Sequence, residues 1–143
     1  MKAFVEVSTN TTERPIYNED TLECIKTITV YKPYPYAYGF LLNTKSGDGA
    51  HLDCYFITEQ ELRAEEIVDV RPIGMVESFE DGEEDHKILV ALSDESPVVD
   101  QIVEKKIRDF AEHYFDNRPE KKLVVGRFLG YDEAVALIAA CKV

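Results

Sequence analysis

The 143-residue sequence has no tryptophan, only three cysteines, and no apolar run near the roughly 20 residues needed to cross a bilayer. Cys24, Cys54 and Cys141 are odd in number and widely spaced, which excludes a disulfide framework and a zinc-ligand spacing. Such cysteines suit a reducing compartment. The opening stretch MKAFVEVSTNTTERP carries one lysine and a short apolar segment that soon turns polar, unlike a secretory signal, so a cytoplasmic protein is expected. Basic side chains are also scarce, 16 against 28 acidic, and the net charge of −12 argues against nucleic acid and anionic membranes as partners. So acidic a chain would need metal cations as intermediaries to bind an anion. No serine sits in a nucleophile elbow, no cysteine has a catalytic motif around it, and there is no phosphate-binding P-loop.

What is present is an ordinary folding composition, 45% hydrophobic and 31% charged, long enough for one domain over residues 1–143. Residues 3–7, 22–31, 52–58, 67–78 and 87–92 read as strands, the fourth interrupted by Pro72 and Gly74. TERPIYNED reads as a turn-rich link, and the aromatic, proline-containing segment from Tyr31 to Leu42 as an irregular one. Ser96 followed by Pro97 predicts a helix start, with Val99, Ile102, Val103, Ile107, Phe110, Ala111 and Tyr114 on its apolar face. A strand over 123–128, a break at Gly130 and an alanine-rich helix over 132–142 complete the chain. Short strands followed by two late helices predict an α+β fold, a small barrel with helices packed outside.

Two acidic clusters carry candidate chemistry. In GDGAHLDCYF, Asp48 and Asp53 flank a glycine turn ahead of an apolar run; carboxylates in such a loop are ligands for a hard cation, although Gly-Asp-Gly is also common turn chemistry. In SFEDGEEDHKIL, Glu80, Asp81, Glu83, Glu84 and Asp85 crowd into six positions, with Lys87 two residues on. Alone, that segment reads as a solvated acidic hairpin. Facing Asp48 and Asp53 across one cleft, it would build a multi-metal site. The tyrosines of YPYAYGF suit a core, and a phenol at a cleft can donate to a phosphate oxygen.

The order of YPYAYGF, DGAHLDC, VRPIGMVES, DGEEDHKIL, FAEHY and a final short helix resembles the soluble inorganic pyrophosphatases of the bacterial type, over nearly the whole chain. The resemblance implies a five-stranded OB-like barrel with two C-terminal helices outside, a homo-oligomer (a hexamer in bacterial members), and hydrolysis of pyrophosphate or a related phosphoanhydride with Mg²⁺, Mn²⁺ being possible. By position it implies Asp48, Asp53 and Asp85 as principal metal ligands. Glu80 falls at a further metal position where the family has aspartate, Asp81 is its acidic neighbour, and Glu13 matches an N-terminal carboxylate. It assigns Lys26, Lys87, Tyr38 and Tyr114 to the phosphates, and Asp53, Tyr38 and Lys87 to catalysis.

The departures are specific. The family loop reads D-G-D-P-L-D, and Ala50 replaces its middle aspartate, which helps to take the proton from the attacking water; His51 replaces the proline. Ala37 stands for the asparagine of the N-Y-G element, Phe115 for a lysine, and Thr11 or Thr12 for the N-terminal phosphate-binding lysine. Lys26 replaces an arginine, keeping charge and losing the bidentate fork. The stretch between Lys87 and Tyr114 is shorter than usual. These changes imply reduced or altered turnover, or a catalytically inactive homologue that serves as a metal- and phosphate-binding or assembly module. His51, a neighbour of Ala50 in an extended segment, is expected to point to the opposite face and not to replace the carboxylate.

Overall fold

The computed structural model describes residues 1–143. Five strands close a barrel: β1 (Lys2–Val7), β4 (Ala37–Leu41), β5 (Leu52–Phe56), β8 (Lys87–Leu92) and β6 (Ile67–Glu80), in that order, with β1 pairing back onto β6. All contacts in this ring are antiparallel except β5 with β8. β7 (Glu83–Glu84) and β9 (Leu123–Leu129) extend β6, and β2 (Glu13–Tyr17) with β3 (Cys24–Thr29) forms a separate hairpin. The helices are α1 (Gln101–Glu112) and α2 (Tyr131–Cys141). This is the five-stranded barrel with two late helices that the sequence predicts.

Strand alternation divides the barrel residues into two sets. Leu52, Cys54 and Phe56 of β5 meet Ile88 and Val90 of β8 in one buried cluster, which Ala134, Ile138 and Cys141 of α2 complete. The alternate residues, Tyr55 and Leu89, join Val7, Tyr34, Tyr38 and Val76 in a second cluster covered by Val103, Ile107 and Phe110 of α1. Tyr34 and Tyr38 are thus core residues, 1% and 5% exposed, and their cluster underlies the site described below.

Several local expectations are corrected. TERPIYNED is not mostly turn: its centre is β2, which pairs with β3. The prolines of the 31–42 segment precede a central strand, β4, whose five residues are all buried. There Gly39 lies so close to β1 that a Cβ would sit 1.8 Å from the Phe4 carbonyl oxygen. Pro72 and Gly74 do not break β6, which runs for 14 residues and absorbs them as a register shift against β8. Helix α1 starts at Gln101 rather than near Ser96, because Asp100 caps it with a carboxylate that accepts from Val103 N–H at 3.0 Å. Ile102 is 65% exposed and leaves the apolar face to Val103, Ile107, Phe110 and Ala111.

Candidate active site

The parallel register Cys54↔Ile88 and Tyr55↔Leu89 continues one step back to set Asp53 beside Lys87. Both occupy the strand face that carries Tyr55 and Leu89, so alternation aims them away from the α2 cluster. Lys87 Nζ donates to Asp53 Oδ2 and to Asp85 Oδ2, each at 2.8 Å. Its side chain is 11% exposed. Burial opposes the charged ammonium, but the Asp53 and Asp85 charges and hydrogen bonds outweigh it and hold the lysine pKa above its ordinary value. Lys87 therefore stays cationic at any physiological pH and bridges the two carboxylates.

Asp53, Glu80, Asp85 and Lys87 line a cavity of about 150 Å³, together with Arg14, Tyr34, Tyr38, Tyr55, Tyr114 and Phe115. Glu80 comes from the end of β6, where Asp81 and Gly82 make the tight turn into β7 at φ +51° and +87°. Asp81 supports the fold and not the cavity, since its Oδ1 accepts from Lys122 N–H at 3.0 Å and ties the hairpin to the loop between α1 and β9.

Arg14 went unnoticed in the sequence. Its guanidinium lies 5.5 Å from the Tyr38 ring centre and 5.9 Å from that of Tyr114, and it donates to the Tyr114 hydroxyl. Thr11 and Thr12, expected at the N-terminal cationic position, lie just ahead of β2, where the Thr11 hydroxyl accepts from Glu13 N–H. The cation that does line the cavity from this segment is Arg14, within β2. The signal was the strand itself, because reading TERPIYNED as turn hid the inward direction of position 14.

Glu6 and Glu19 were also missed. Glu6, 6% exposed on β1, has its pKa pushed up to about 8 by burial, with the Asp53 charge adding to the effect. A lone glutamate inside the apolar stretch AFVEV was the available sign. Glu19, from the β2–β3 turn, accepts from His51 N–H at 2.8 Å; burial and then the charges of Asp53 and Asp48 raise its pKa against that hydrogen bond.

Other expected residues lie further out. Asp48 is exposed; its carboxylate accepts from the Ser46 hydroxyl and, at 3.0 Å, from Ala50 N–H, and the first of these bonds does most to lower its pKa. Glu13 and Lys26 are exposed on the β2–β3 hairpin, Glu13 accepting from the Thr29 hydroxyl, and neither lines the cavity. His51 Nδ1 donates to the Thr44 carbonyl at 2.8 Å while its ring stacks on Phe40. It faces a smaller recess behind Asp53 and Asp85, not the main cavity. Tyr38 is buried deeply enough that its phenol pKa rises well above normal, which keeps it a neutral donor. No three of the acidic, histidine or cysteine side chains converge tightly enough to enclose an ion with protein ligands alone. Mg²⁺ does not need such a cage: it is held by one or two carboxylates and completes its shell with water and substrate phosphates. The oxygen-only acidic set around this cavity fits that habit.

The chain is 31% identical over 146 residues to the inorganic pyrophosphatase of Nanoarchaeum equitans (strain Kin4-M), covering 95% of this chain and 91% of that one. It is 28% identical over 152 residues to that of Geobacillus stearothermophilus, with 99% and 91% covered. Among solved structures, the Helicobacter pylori inorganic pyrophosphatase superposes with a TM-score of 0.91 at 21% identity, covering 99% of this chain and 90% of that chain. The Neisseria gonorrhoeae inorganic pyrophosphatase gives 0.90 at 24%, with 99% and 88% covered. A sequence model of the inorganic pyrophosphatases matches residues 3–143, and with the first of these relatives it shows that the chain belongs to the inorganic pyrophosphatase family.

Proposed function

We propose that the chain hydrolyses inorganic pyrophosphate to two phosphates in a divalent-cation-dependent reaction, with Mg²⁺ as the ordinary ion and Mn²⁺ as a substitute. The observation that carries this reading is one cavity that collects hard-oxygen acids, Asp53, Glu80 and Asp85, together with phosphate-binding groups, Arg14, Lys87 and Tyr114. Asp53, Asp85 and Glu80, which line the cavity, and Asp48, on the adjoining loop, would hold the ions. A bound ion supplies charge neutralisation and acidifies water at the site.

The chain's own residues do the rest. Lys87 and Arg14 would place fixed positive charge against the substrate oxygens. Tyr38 and Tyr114 would donate from their hydroxyls, Tyr38 from a phenol that burial keeps neutral. Asp53 faces the cavity and is the carboxylate of its loop left to take the attacking water's proton once the middle aspartate is Ala50. Lys26 and Glu13, exposed on the hairpin, stand outside this set.

Ala50 also supports a second reading: a protein that holds cation and phosphate without turnover, as a binding or assembly module. Restoring the acid separates the two. Phosphate release that appears only in Ala50→Asp supports the module; wild-type release well above that of Asp53→Ala supports the enzyme. No helix is long and apolar enough to cross a membrane. A cytoplasmic location suits the free cysteines, and a homo-oligomer, a hexamer by resemblance, suits exposed apolar side chains such as Ile25, Val98 and Ile102. Sedimentation of the purified protein would measure that assembly.

A further inference from the structure

A second compartment of about 260 Å³ adjoins the cavity proposed to receive the diphosphate. Arg14, Glu80, Tyr114 and Phe115 line both spaces and so mark the boundary between them. The outer compartment is of mixed chemistry. Its floor is apolar: Ile16 and Ile28 from the β2–β3 hairpin, Val30 just beyond it, and the half-buried Phe115 ring. Its rim is cationic: Arg118 and Lys121, the latter with Nζ 5.6 Å from the Phe115 ring centre.

Three features make this more than a dent in the surface. Arg118 N–H donates to the Phe115 carbonyl at 2.8 Å and Lys121 N–H to the Arg118 carbonyl at 3.0 Å, so successive turns fix the rim. Asp81 anchors the same loop through both backbone groups of Lys122. At this boundary, Arg14 Nε is buried with no hydrogen-bond partner, a donor left over after the guanidinium has bonded Tyr114. A buried guanidinium N–H is costly to leave unpaired, and an oxygen lying between the two compartments would satisfy it.

We propose that this chain accepts an organic diphosphate, R–O–PO₂–O–PO₃, with the diphosphate in the inner cavity and the organic group R against Ile16, Ile28 and Phe115. This rests on the pyrophosphatase reading of the inner cavity and extends its substrate class. Beyond the boundary residues, the polar side chains of the compartment are Thr29, Asn117, Arg118 and Lys121, and an organic group gains from covering its four apolar ones, which offer a third phosphate no donor. Arg118 and Lys121 then offset the charge of the ester phosphate. Phe115, where the resemblance leads one to expect lysine, is the substitution that turns this wall apolar.

The reaction balances without any further reactant. The water oxygen bonds to the terminal phosphorus, the bond from that phosphorus to the bridging oxygen breaks, and the bridging oxygen leaves on the organic monophosphate. The water protons pass to the products and solvent. The products are orthophosphate and R–O–PO₃.

The test compares phenyl diphosphate with methyl diphosphate, inorganic pyrophosphate and tripolyphosphate on the full chain, by phosphate release with Mg²⁺ and by calorimetric binding. Phenyl diphosphate should exceed methyl diphosphate in kcat/KM and in affinity by about tenfold, the scale on which apolar pockets discriminate. Phe115→Lys and, independently, Ile28→Asp should each bring that ratio close to one. Equal values for the two esters, or a ratio that both variants leave untouched, would overturn the proposal, as would a preference for tripolyphosphate over both esters. If pyrophosphate itself is not hydrolysed, the parent reading fails separately, and the binding ratio still decides this one.

Discussion

The aromatic and cationic side of the inner cavity and the Ser46–His51 loop are built in opposite ways. The first is part of the core: Tyr34 and Tyr38 are at most 5% exposed and contribute to the cluster that carries α1. Lys87 is buried between two carboxylates, and Arg14 is wedged against two aromatic rings. The second is a surface turn whose acidic group is exposed and bonded to its own loop, to Ser46 and Ala50. The Ala50 replacement falls in the surface turn. A surface turn can lose a carboxylate at position 50 without disturbing the barrel, whereas a change at Lys87 would leave two half-buried acids facing each other.

Substitutions on the two sides should therefore separate stability from function. The largest effect is expected at Lys87. Lys87→Met leaves Asp53 and Asp85 uncompensated, and denaturant unfolding should show a loss of about 3–5 kcal/mol, with phosphate release falling to background. A loss below 1 kcal/mol would show that the ion triad does not hold this side of the cavity together. Next comes Arg14→Met, which removes a charged contact worth about 1.5–3 kcal/mol to a phosphate oxygen, so KM for pyrophosphate should rise roughly 10- to 150-fold. An unchanged KM would remove Arg14 from the site.

Glu6 gives a smaller, pH-dependent signal. Its folded pKa of about 8 lies above the ordinary 4.5, so the folded state holds a proton that the unfolded chain has released. The stability this provides is complete below about pH 4.5 and is lost as pH rises through about 8. The melting temperature of the metal-free wild type should fall between pH 5 and 8.5, and Glu6→Gln should flatten that slope; parallel slopes would contradict the assignment. Smallest is Asp48→Asn, an exposed change expected to shift unfolding free energy by no more than about 0.5 kcal/mol while raising the Mg²⁺ concentration needed for half-maximal rate. A large loss of stability there would erase the contrast between the two regions.

The sequence made legible whatever had a period or a motif. The barrel followed from short alternating strands, and the pairing of β5 with β8 put Asp53, Asp85 and Lys87 together as residues that had been singled out separately. Chemistry without local context stayed hidden. Arg14 is inward only because β2 pairs with β3, a contact between segments that composition had marked as turn and strand. Glu6 is buried by closure of β1 onto both β4 and β6, at a register shift that no single segment reveals. The N-cap of α1 is Asp100 and not Ser96, four residues earlier; Asp100 bonds Val103 N–H, and Val103, Ile107 and Phe110 pack in the cluster that holds Tyr34.

The most direct test is phosphate release from inorganic pyrophosphate in millimolar Mg²⁺, with wild type, Asp53→Ala and Ala50→Asp side by side. Wild-type release well above that of Asp53→Ala is expected, with a further gain in Ala50→Asp that approaches the roughly 10²- to 10⁴-fold worth of a positioned general base. Wild-type release no greater than that of Asp53→Ala, whether or not Ala50→Asp restores turnover, would contradict the claim that the acids and cations of this cavity form a working hydrolase.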